Sequence, residues 1–174
     1  MELQEAASLI HTNELNHDTK TTWADLGCGS GIFTRALAGE LVAGSTVYAV
    51  DKNLSSFRTN LFPDRVIIKT IESDFVHEDL NLKGLDGILM ANAFHFVRDK
   101  KSLIKKLVQY FREVPAFLFV EYDTDQANPW VPYPLTFITL KSLFEELGFS
   151  FAKKINEKKS LYRAGKIYSA FITR

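Results

Sequence analysis

Apolar positions near the start of the chain recur at the period of an α-helix. The apolar positions are i, i+3, i+4 and i+7, which lie on one face of a helix; the residues are Leu3, Ala6, Ala7 and Ile10. The residues between them are mostly polar, as in an amphipathic helix that packs its apolar face onto a domain. We therefore expect the segment 1–20 to form a helical flap or brace beside the main fold.

From residue 22 onwards, short apolar segments alternate with segments of helical period. The apolar segments predict strands at 22–26, 46–50, from 66 towards 74, at 85–91 and at 115–120. Helical periodicity predicts helices at 32–37, 53–61, 103–111 and 140–147. Asn53 and Asp99 are the predicted caps of the second and third helices, and Gly148 follows the last one. In the second helix the residues expected to face inward are Leu54, Phe57 and Leu61. Between 149 and 173 two β-rich segments follow each other without a helix, which predicts a closing hairpin.

This order of elements predicts the topology of the sheet. Parallel neighbouring strands need a crossover connection, and helices that alternate with buried strands supply it. We therefore expect a doubly wound, mostly parallel α/β sheet with helices on both faces, to which the hairpin adds an antiparallel strand. The length of 174 residues is that of one domain, so a single domain over 1–174 is expected.

The composition excludes several classes of protein and of partner. Hydrophobic residues make up 46% of the chain and charged residues 24%, as in globular proteins rather than disordered or fibrous ones. Lysine plus arginine and aspartate plus glutamate both number 21, so no net field attracts nucleic acid or an anionic membrane. The lysines within 100–106 and 153–159 are interpreted as solvated surface. We expect neither a nucleic-acid partner nor a membrane partner.

The amino terminus and the cysteine and histidine content narrow the picture further. The acidic, polar start of the chain differs from a signal peptide, and no apolar run approaches the about 20 residues of a membrane span, so a cytoplasmic protein is expected. The single cysteine, Cys28, cannot form an intrachain disulfide, and the four histidines show no metal-ligand spacing. No metal site is expected.

Three glycines separate the first strand from the helix that follows it. Gly27, Gly29 and Gly31 form a G-x-G-x-G turn, and glycine lets the backbone approach a ligand that a Cβ atom would block. Asp25 lies two residues before this turn. Asp51 lies 20 residues after the turn, at the end of the second strand, where a carboxylate can accept hydrogen bonds from both hydroxyls of a ribose.

The turn resembles the first motif of the class I S-adenosylmethionine-dependent methyltransferases, an acidic residue followed by x-G-x-G-x-G. In this chain it reads Asp25-Leu26-Gly27-Cys28-Gly29-Ser30-Gly31. The resemblance extends over nearly the whole chain and includes Asp51, Asp74-Phe75, Asn92-Ala93-Phe94-His95 and the closing hairpin. It implies a single Rossmann-like methyltransferase domain with a sheet of about seven strands, and S-adenosylmethionine as the cofactor.

The resemblance also implies roles for individual residues. The glycine turn would pass under the amino-acid part of the cofactor, Asp51 would hold the ribose, and Asp74 would meet the adenine amino group. Phe75 or Lys52 would lie beside the adenine ring. The expected cofactor-binding residues are Asp25, Gly27, Cys28, Gly29, Gly31, Asp51, Lys52, Asp74, Phe75 and Asn92. With no second cysteine to resolve it, Cys28 is interpreted as a packing residue rather than a reactive thiol.

The charges at the strand ends agree with this cofactor. S-adenosylmethionine carries a sulfonium cation and no phosphate, so Asp25, Asp51 and Asp74 suit it better than they suit a pyrophosphate. A nicotinamide-dependent oxidoreductase is the weaker alternative, because the glycine pattern falls short of G-x-G-x-x-G. Taken singly, Asp25 can instead cap the following helix, Asp51 can begin a turn and Asp74 can lie in solvent.

The candidate catalytic residues follow the fourth and fifth strands. Methyl transfer mainly requires alignment and desolvation, so a catalytic base is optional. His95 is the candidate general base because histidine titrates near neutral pH, although its neighbours Phe94 and Phe96 equally allow a packed, hydrogen-bonded histidine. Glu121 leaves the fifth strand at the same edge and is the second candidate, with solvation or loop anchoring as its alternative.

The irregular segment 123–136 is the candidate substrate loop. It holds three of the five prolines, and long irregular loops in small domains are usually functional. Trp130 and Tyr133 lie among these prolines and are predicted to form an aromatic lid, with Tyr122 and His95 as further substrate contacts. Alternatively, the aromatic residues only pin the loop to the core.

The sequence thus predicts a methyltransferase that acts on a small-molecule acceptor through oxygen, nitrogen or carbon. Enzymes that methylate the amino groups of bases carry an N-P-P-Y or D-P-P-Y turn after the fourth strand, whereas this chain has Asn92-Ala93-Phe94-His95. The alternative is a non-catalytic S-adenosylmethionine-binding or regulatory module. Such a module would keep the glycine turn and Asp51 but would lack an organised acceptor pocket.

Overall fold

The computed structural model describes residues 1–58, 65–159 and 165–174. The helices are α1 (Leu3–Ile10), α2 (Ile32–Glu40), α3 (Lys100–Leu107) and α4 (Phe137–Glu146). The strands are β1 (Thr22–Leu26), β2 (Thr46–Asp51), β3 (Ile67–Glu72), β4 (Gly87–Ala91), β5 (Ala116–Tyr122), β6 (Phe151–Lys159) and β7 (Lys166–Thr173). The 3₁₀ turns Phe94–Phe96 and Val108–Tyr110 flank α3.

These strands form one sheet in the order β3-β2-β1-β4-β5-β7-β6. Strands β1 to β5 run parallel to one another, and β7 runs antiparallel to both β5 and β6. The strand order reverses between β1 and β4, which is the point where open α/β sheets bind ligands beyond the carboxyl ends of their strands. The predicted doubly wound, Rossmann-like fold and its C-terminal antiparallel hairpin are confirmed.

Alternate side chains of the central strands enter two cores, one on each face of the sheet. Ala24 of β1, Met90 of β4 and Phe119 of β5 pack with α3 and α4. Trp23 of β1 and Leu89 of β4 pack with α1 and α2 on the other face. Because helices cover both faces, the central strands are apolar at nearly every position, as the sequence pattern indicated.

Helix α1 is fixed both to α2 and to the hairpin. Its buried residues Leu9 and Ile10 pack in the core that α2 covers. The hydroxyl of Ser169 in β7 donates a 2.5 Å hydrogen bond to the carbonyl oxygen of Leu9, and Lys158 of β6 forms a 2.7 Å ion pair with Glu5. These contacts attach α1 to the hairpin as well as to α2; whether the segment 1–20 acts as a flap or as a brace stays a prediction.

The helix predicted at 53–61 is wrong over residues 53–58, the part of it that the structure describes. Its predicted inward-facing residue Leu61 lies outside the described residues. The side-chain oxygen of Asn53 accepts a 2.9 Å hydrogen bond from the N–H of Ser55, and up to Arg58 the chain forms a turn at residues 55–56 instead of a helix. Short polar side chains that bind nearby backbone groups compete with helix formation, and serine has modest helix propensity. A cap residue and apolar spacing were therefore insufficient signals here.

Candidate active site

The glycine turn joins the carboxyl ends of β1 and β2. The N–H of Gly27 donates a 2.8 Å hydrogen bond to the carbonyl oxygen of Val50, and the N–H of Gly29 donates one of 2.8 Å to Asp51 Oδ2. Gly27 has a φ of +81°, and a Cβ atom at this position would lie 2.6 Å from the Cβ of Ala93. Glycine is therefore needed both for the backbone conformation and for the close approach of the segment after β4.

The other residues of the turn shape it from within. Gly31, with a φ of +85°, stands at the start of α2, and Gly29 has a φ of +51°. Cys28 is buried, and burial raises the pKa of its thiol well above the usual range. The thiol therefore stays protonated, which agrees with a packing role and not with a nucleophile.

Asp25 is buried at the end of β1. Its Oδ2 accepts a 2.6 Å hydrogen bond from the hydroxyl of Thr34 in α2, while its Oδ1 has no hydrogen-bond partner among the described residues. Burial raises the pKa of Asp25 to about 7; the hydrogen bond from Thr34 opposes this shift and the charge of Asp51 adds to it. Asp25 is thus an acidic group whose charge the surrounding core disfavours.

Asp74 and Phe75 follow β3 and form a braced wall. Asp74 Oδ2 lies 3.0 Å from His77 Nδ1, and Asp74 Oδ1 accepts a 2.9 Å hydrogen bond from the N–H of Val76. The hydrogen bond with His77, followed by those from the backbone, lowers the pKa of Asp74, so this carboxylate is ionised at neutral pH. The ammonium group of Lys106 in α3 donates to the carbonyl oxygens of Phe75 and Val76 over 3.0 and 3.4 Å.

Glu121, near the end of β5, holds the 3₁₀ turn that follows β4. Its Oε1 accepts hydrogen bonds from the N–H groups of Phe94 and His95 over 2.8 and 3.2 Å, and its Oε2 lies 2.6 Å from His95 Nδ1. Both side chains are buried, and the His95 ring packs against those of Phe96 and Tyr122 at centroid distances of 4.3 and 5.9 Å. An ionised Glu121 accepts all three bonds, which places a proton of His95 on Nδ1.

The loop 123–136 is attached to this same turn. The N–H of Tyr133 donates a 3.0 Å hydrogen bond to the carbonyl oxygen of His95. Lys100, at the start of α3, donates to the carbonyl oxygens of Val97 and Tyr133 over 2.7 and 2.8 Å. Because Lys100 is partly buried, desolvation lowers the pKa of its ammonium group to about 8.

Trp130 lies at the tip of a tight turn in this loop. Its N–H donates a 3.0 Å hydrogen bond to Asn128 Oδ1, and Asn128 pairs with Val131 in a short antiparallel bridge. The Trp130 side chain is 72% exposed, whereas Val131 and Leu135 are buried. Aliphatic residues, and not Trp130, therefore attach the loop to the core. The role of Trp130 as a lid stays a prediction.

A cavity of about 790 Å³ lies between the glycine turn, the wall after β3 and the start of α3. The predicted site residues that line it are Gly27, Asp51, Lys52, Asp74, Phe75, Asn92 and Tyr133. The predicted site residues outside its lining are Asp25, Cys28, Gly29, Gly31, His95, Glu121, Tyr122 and Trp130. The cavity volume lies in the upper part of the range for ligand pockets, about 300–1,000 Å³.

The cavity is also lined by residues that the sequence analysis did not assign to the site: Ser73, Val76, His77, Ala93, Phe96, Arg98, Asp99, Ser102, Leu103 and Lys106. Ala93, Phe96 and Arg98 follow β4, so their position after a central parallel strand was the available signal. Ser102 and Lys106 lie in α3, whose cavity-facing side is not distinguishable from its solvated side by polarity. Only the packing of α3 against the sheet determines which of its side chains face the cavity.

Two features are absent from the described residues. In this part of the chain, no group of three or more histidine, cysteine, aspartate or glutamate side chains could hold a metal ion. Nor does any described helix combine the length and the apolar character that crossing a bilayer requires.

The sequence profile of the methyltransferase domain family matches residues 24–115, just over half of the chain. The chain therefore belongs to the methyltransferase domain family. This membership confirms the resemblance to the class I S-adenosylmethionine-dependent methyltransferases: the protein is a methyltransferase, and its cofactor is S-adenosylmethionine. The nicotinamide-dependent alternative finds no support in it.

Solved methyltransferase structures share the fold. An S-adenosylmethionine-dependent methyltransferase from Aquifex aeolicus is 14% identical with a TM-score of 0.65. This match covers 99% of the present chain and 98% of the Aquifex chain. The 1,6-didemethyltoxoflavin-N1-methyltransferase of Burkholderia thailandensis is 15% identical with a TM-score of 0.70. This match covers 99% of the present chain and 77% of the Burkholderia chain. A Nostoc punctiforme protein proposed to be an O-methyltransferase is 17% identical with a TM-score of 0.70. The match covers 99% of the present chain but only 55% of the Nostoc chain. The comparison with curated proteins gives no match.

The residues at this edge of the sheet fit S-adenosylmethionine. Asp25 Oδ1 and Asn92 Oδ1, at the ends of the adjacent strands β1 and β4, are buried oxygens without a hydrogen-bond partner in the described ranges. Unpaired buried acceptors are costly, and a ligand that donates, such as the ammonium group of the cofactor, would satisfy them. Asp51 and Asp74 add negative charge, which suits a sulfonium cation.

Proposed function

We propose that the protein transfers a methyl group from S-adenosylmethionine to a small-molecule acceptor. The observation that carries this proposal is a single cavity that contains Gly27 and Asp51 on one side and the aromatic residues Phe96 and Tyr133 on the other. A module that only binds the cofactor would need the first side alone. The second side supports an acceptor pocket, which such a module would lack.

The cofactor side of the cavity is assigned as follows. The N–H of Gly29 fixes the carboxylate of Asp51, whose remaining lone pairs are free to accept the ribose hydroxyls. The ionised carboxylate of Asp74 would accept the adenine amino group, with Phe75 or Lys52 beside the ring. Asp25 and Asn92 would offer their unpaired oxygens to the amino-acid part of the cofactor.

The acceptor side of the cavity carries two large aromatic side chains. Phe96 and Tyr133 would offer ring surface that excludes water from the reacting centre, where the sulfonium cation becomes a neutral thioether as the methyl group leaves it. The equal numbers of acidic and basic residues speak against a nucleic-acid acceptor. The Burkholderia protein of similar fold is, by its name, an N1-methyltransferase of 1,6-didemethyltoxoflavin, which supports a small-molecule acceptor.

The protein's part in methyl transfer is then alignment and desolvation. The bound cofactor supplies the electrophilic methyl group and a neutral sulfur leaving group. The glycine turn and Asp51 hold the donor, and the turn after β4 with the loop 123–136 holds the acceptor in line with it. No buried base is needed for an acceptor that is already nucleophilic.

His95 and Glu121 are assigned as positioning residues of this turn. Glu121 binds two backbone N–H groups and the His95 ring, and the His95 side chain is only 3% exposed, packed against Phe96. A role for His95 as general base would require the Phe96 ring to move and open a path from the acceptor to the imidazole. That role stays a prediction, which substitution of Glu121 by glutamine tests.

Cofactor binding is tested by thermal unfolding with S-adenosylmethionine, S-adenosylhomocysteine, NAD or no ligand. At about 100 times its dissociation constant, a ligand adds about 2.7 kcal/mol of stability. We expect stabilisation by the two sulfur compounds alone, and its loss in Asp51→Asn, which keeps an acceptor for Gly29 but loses the charge. Asp18→Asn, an exposed site outside the cavity, is the matched control and should behave as the unaltered protein.

Catalysis is tested separately, by release of S-adenosylhomocysteine in the presence of phenols, amines, thiols and carboxylates. Turnover with any small acceptor supports the proposal. Binding of S-adenosylmethionine without turnover across the whole panel would favour the non-catalytic module instead. Stabilisation by NAD alone would contradict the cofactor assignment.

A further inference from the structure

The lining of the cavity divides into two halves that carry different chemistry. Gly27, Asp51, Asp74 and Phe75 come from the ends of β1 to β3 and form the cofactor half. The other half, which we call the acceptor half, consists of Phe96, Arg98, Asp99, Ser102 and Tyr133. Its residues follow β4, belong to α3 or come from the loop 123–136. This division rests on the proposed function of the cavity.

Two large aromatic side chains in the acceptor half are unusually accessible. Phe96 is 58% exposed and Tyr133 is 40% exposed, although both line the cavity. Their backbones are held in place by hydrogen bonds: the N–H of Phe96 donates to Ala93 and that of Tyr133 donates to His95. Exposed rings on a hydrogen-bonded backbone at a cavity suit a planar, unsaturated ligand that stacks on them or meets them edge to face.

The acceptor half also contains one cation whose charge is not used by any of the residues that the structure describes. Lysine and arginine side chains that line the cavity are Lys52, Arg98 and Lys106. Lys106 is bound to backbone carbonyl oxygens of the wall after β3, and Lys52 belongs to the cofactor half. Arg98 is exposed and makes no hydrogen bond or ion pair with any residue of the described ranges.

The neighbouring carboxylate does not neutralise Arg98 by direct contact. Asp99 caps α3: its Oδ1 accepts a 3.0 Å hydrogen bond from the N–H of Ser102, and its Oδ2 accepts one of 2.7 Å from the Ser102 hydroxyl. The pKa of Asp99 is lowered by these bonds, so its charge is engaged at the helix start. The guanidinium of Arg98 keeps its planar set of donors for a ligand.

From this arrangement we propose that the acceptor combines a planar ring with an anionic group, and that Arg98 is the specificity-determining residue that binds the anion. A guanidinium binds a carboxylate or a similar oxyanion through two parallel hydrogen bonds, which fixes orientation as well as adding affinity. Arg98 and Tyr133 also border an adjoining depression lined by Leu135 and Leu143, so an acceptor larger than one ring has room to extend there.

The test uses the full chain saturated with S-adenosylhomocysteine, and measures probe binding by calorimetry. The probes are para-hydroxybenzoate, its neutral isostere para-hydroxybenzamide, and cyclohexanecarboxylate, which keeps the anion but lacks the planar ring. A charge-assisted hydrogen bond is worth about ten-fold in affinity or more, so we expect hydroxybenzoate to bind about ten-fold more tightly than the amide. It should also bind more tightly than the cyclohexane acid.

Variants assign the preference to Arg98. In Arg98→Gln the two ring probes should bind equally, with the affinity for S-adenosylhomocysteine unchanged, while Arg98→Lys should retain part of the preference. Arg112→Gln, which removes an exposed arginine outside the cavity, is the control and should keep the full preference.

The inference is overturned if the unaltered protein binds acid and amide equally, if Arg98→Gln keeps the preference, or if no ring carboxylate binds. Equal binding of the cyclohexane acid would remove the planar ring from the proposed class. Failure of S-adenosylhomocysteine itself to bind would contradict the proposed function, a result that the cofactor titration alone reveals.

Discussion

Glu121 Oε2 lies 2.6 Å from His95 Nδ1, and the other oxygen of the same carboxylate accepts the backbone N–H of His95. One carboxylate on β5 therefore binds both the ring and the backbone of a single residue after β4. This arrangement sets the path of the chain between β4 and α3, and hence the position of Phe96 and Arg98 in the cavity.

Substituting Glu121 separates positioning from general-base catalysis. Glu121→Gln can keep an acceptor oxygen for the two backbone N–H groups, while its NH₂ group faces His95 Nδ1 and moves the imidazole proton to Nε2. We expect the variant to fold and to retain most of its turnover. A fall of about 100-fold or more in an intact fold, with a changed pH profile, would instead establish His95 as the base.

Glu121→Ala, in contrast, leaves buried donors without an acceptor. The expected cost is about 1–3 kcal/mol in the free energy of unfolding, measured by urea denaturation. Glu146→Gln, which loses an exposed ion pair with Lys101, should change the stability by less than about 1 kcal/mol. Equal stability of Glu121→Ala and the unaltered protein would contradict the buried network.

Asp25 should make the stability of the ligand-free protein depend on pH. Because its folded pKa of about 7 exceeds the ordinary value of 3.8, its contribution is fully present below 3.8 and is lost as the pH rises through about 7. Asp25→Asn keeps an acceptor for Thr34 and removes this loss. Between about pH 5 and about pH 8, its urea midpoint should therefore fall less than that of the unaltered protein.

Asp18→Asn, at an exposed position, is the control for this comparison and should reproduce the original pH dependence. The same slope in Asp25→Asn as in the unaltered protein would show that Asp25 does not titrate in this range.

We expect Lys100 to hold the loop 123–136 in place while contributing little to the free energy of unfolding. Lys100→Met removes the hydrogen bonds to Val97 and Tyr133 but also removes the desolvation of a charge, so the net change in unfolding free energy should be about 1 kcal/mol or less. The Tyr133 amide should exchange its hydrogen faster, as measured by NMR. Lys101→Met, the exposed neighbour, should leave that rate unchanged.

The same residue gives a second pH signature with the opposite sign from Asp25. The pKa of Lys100 is depressed from 10.5 to about 8 in the folded protein, so the unfolded chain binds more protons in this interval. The stability contributed by Lys100 should rise with pH between about 8 and 10.5, and Lys100→Met should lack this rise. Parallel curves for both proteins would contradict the burial of this ammonium group.

Trp130→Ala tests the aromatic lid. At 72% exposure the side chain has little packing to lose, so the unfolding free energy should change by about 0.5 kcal/mol or less. A lid predicts lower turnover with an unchanged affinity for S-adenosylhomocysteine. Ile138→Ala, at 76% exposure, is the control and should alter neither quantity. Unchanged turnover in Trp130→Ala would remove the lid from the mechanism.

Local pattern was sufficient for the fold and for one half of the cavity. Apolar segments, glycines and acidic strand ends are short-range features, and the carboxyl ends of parallel strands must meet at one edge of the sheet. Gly27, Asp51, Asp74 and Phe75 could therefore be placed together from their positions in the sequence alone. The helix predicted at 53–61 is wrong over the described residues 53–58, because side-chain hydrogen bonds within a few residues favour a turn over a helix there.

The other half of the cavity depended on contacts between distant parts of the chain. How separate elements pack decides the bond between His95 and Glu121 and the exposure of Trp130. Among the residues that the structure describes, it also leaves one oxygen of Asp25 and the charge of Arg98 unpaired. Residue type and spacing do not encode which side chain a neighbouring element covers. The class of enzyme is thus readable from local sequence, because backbone geometry imposes it, whereas the acceptor pocket exists only once the sheet, α3 and the loop 123–136 have come together.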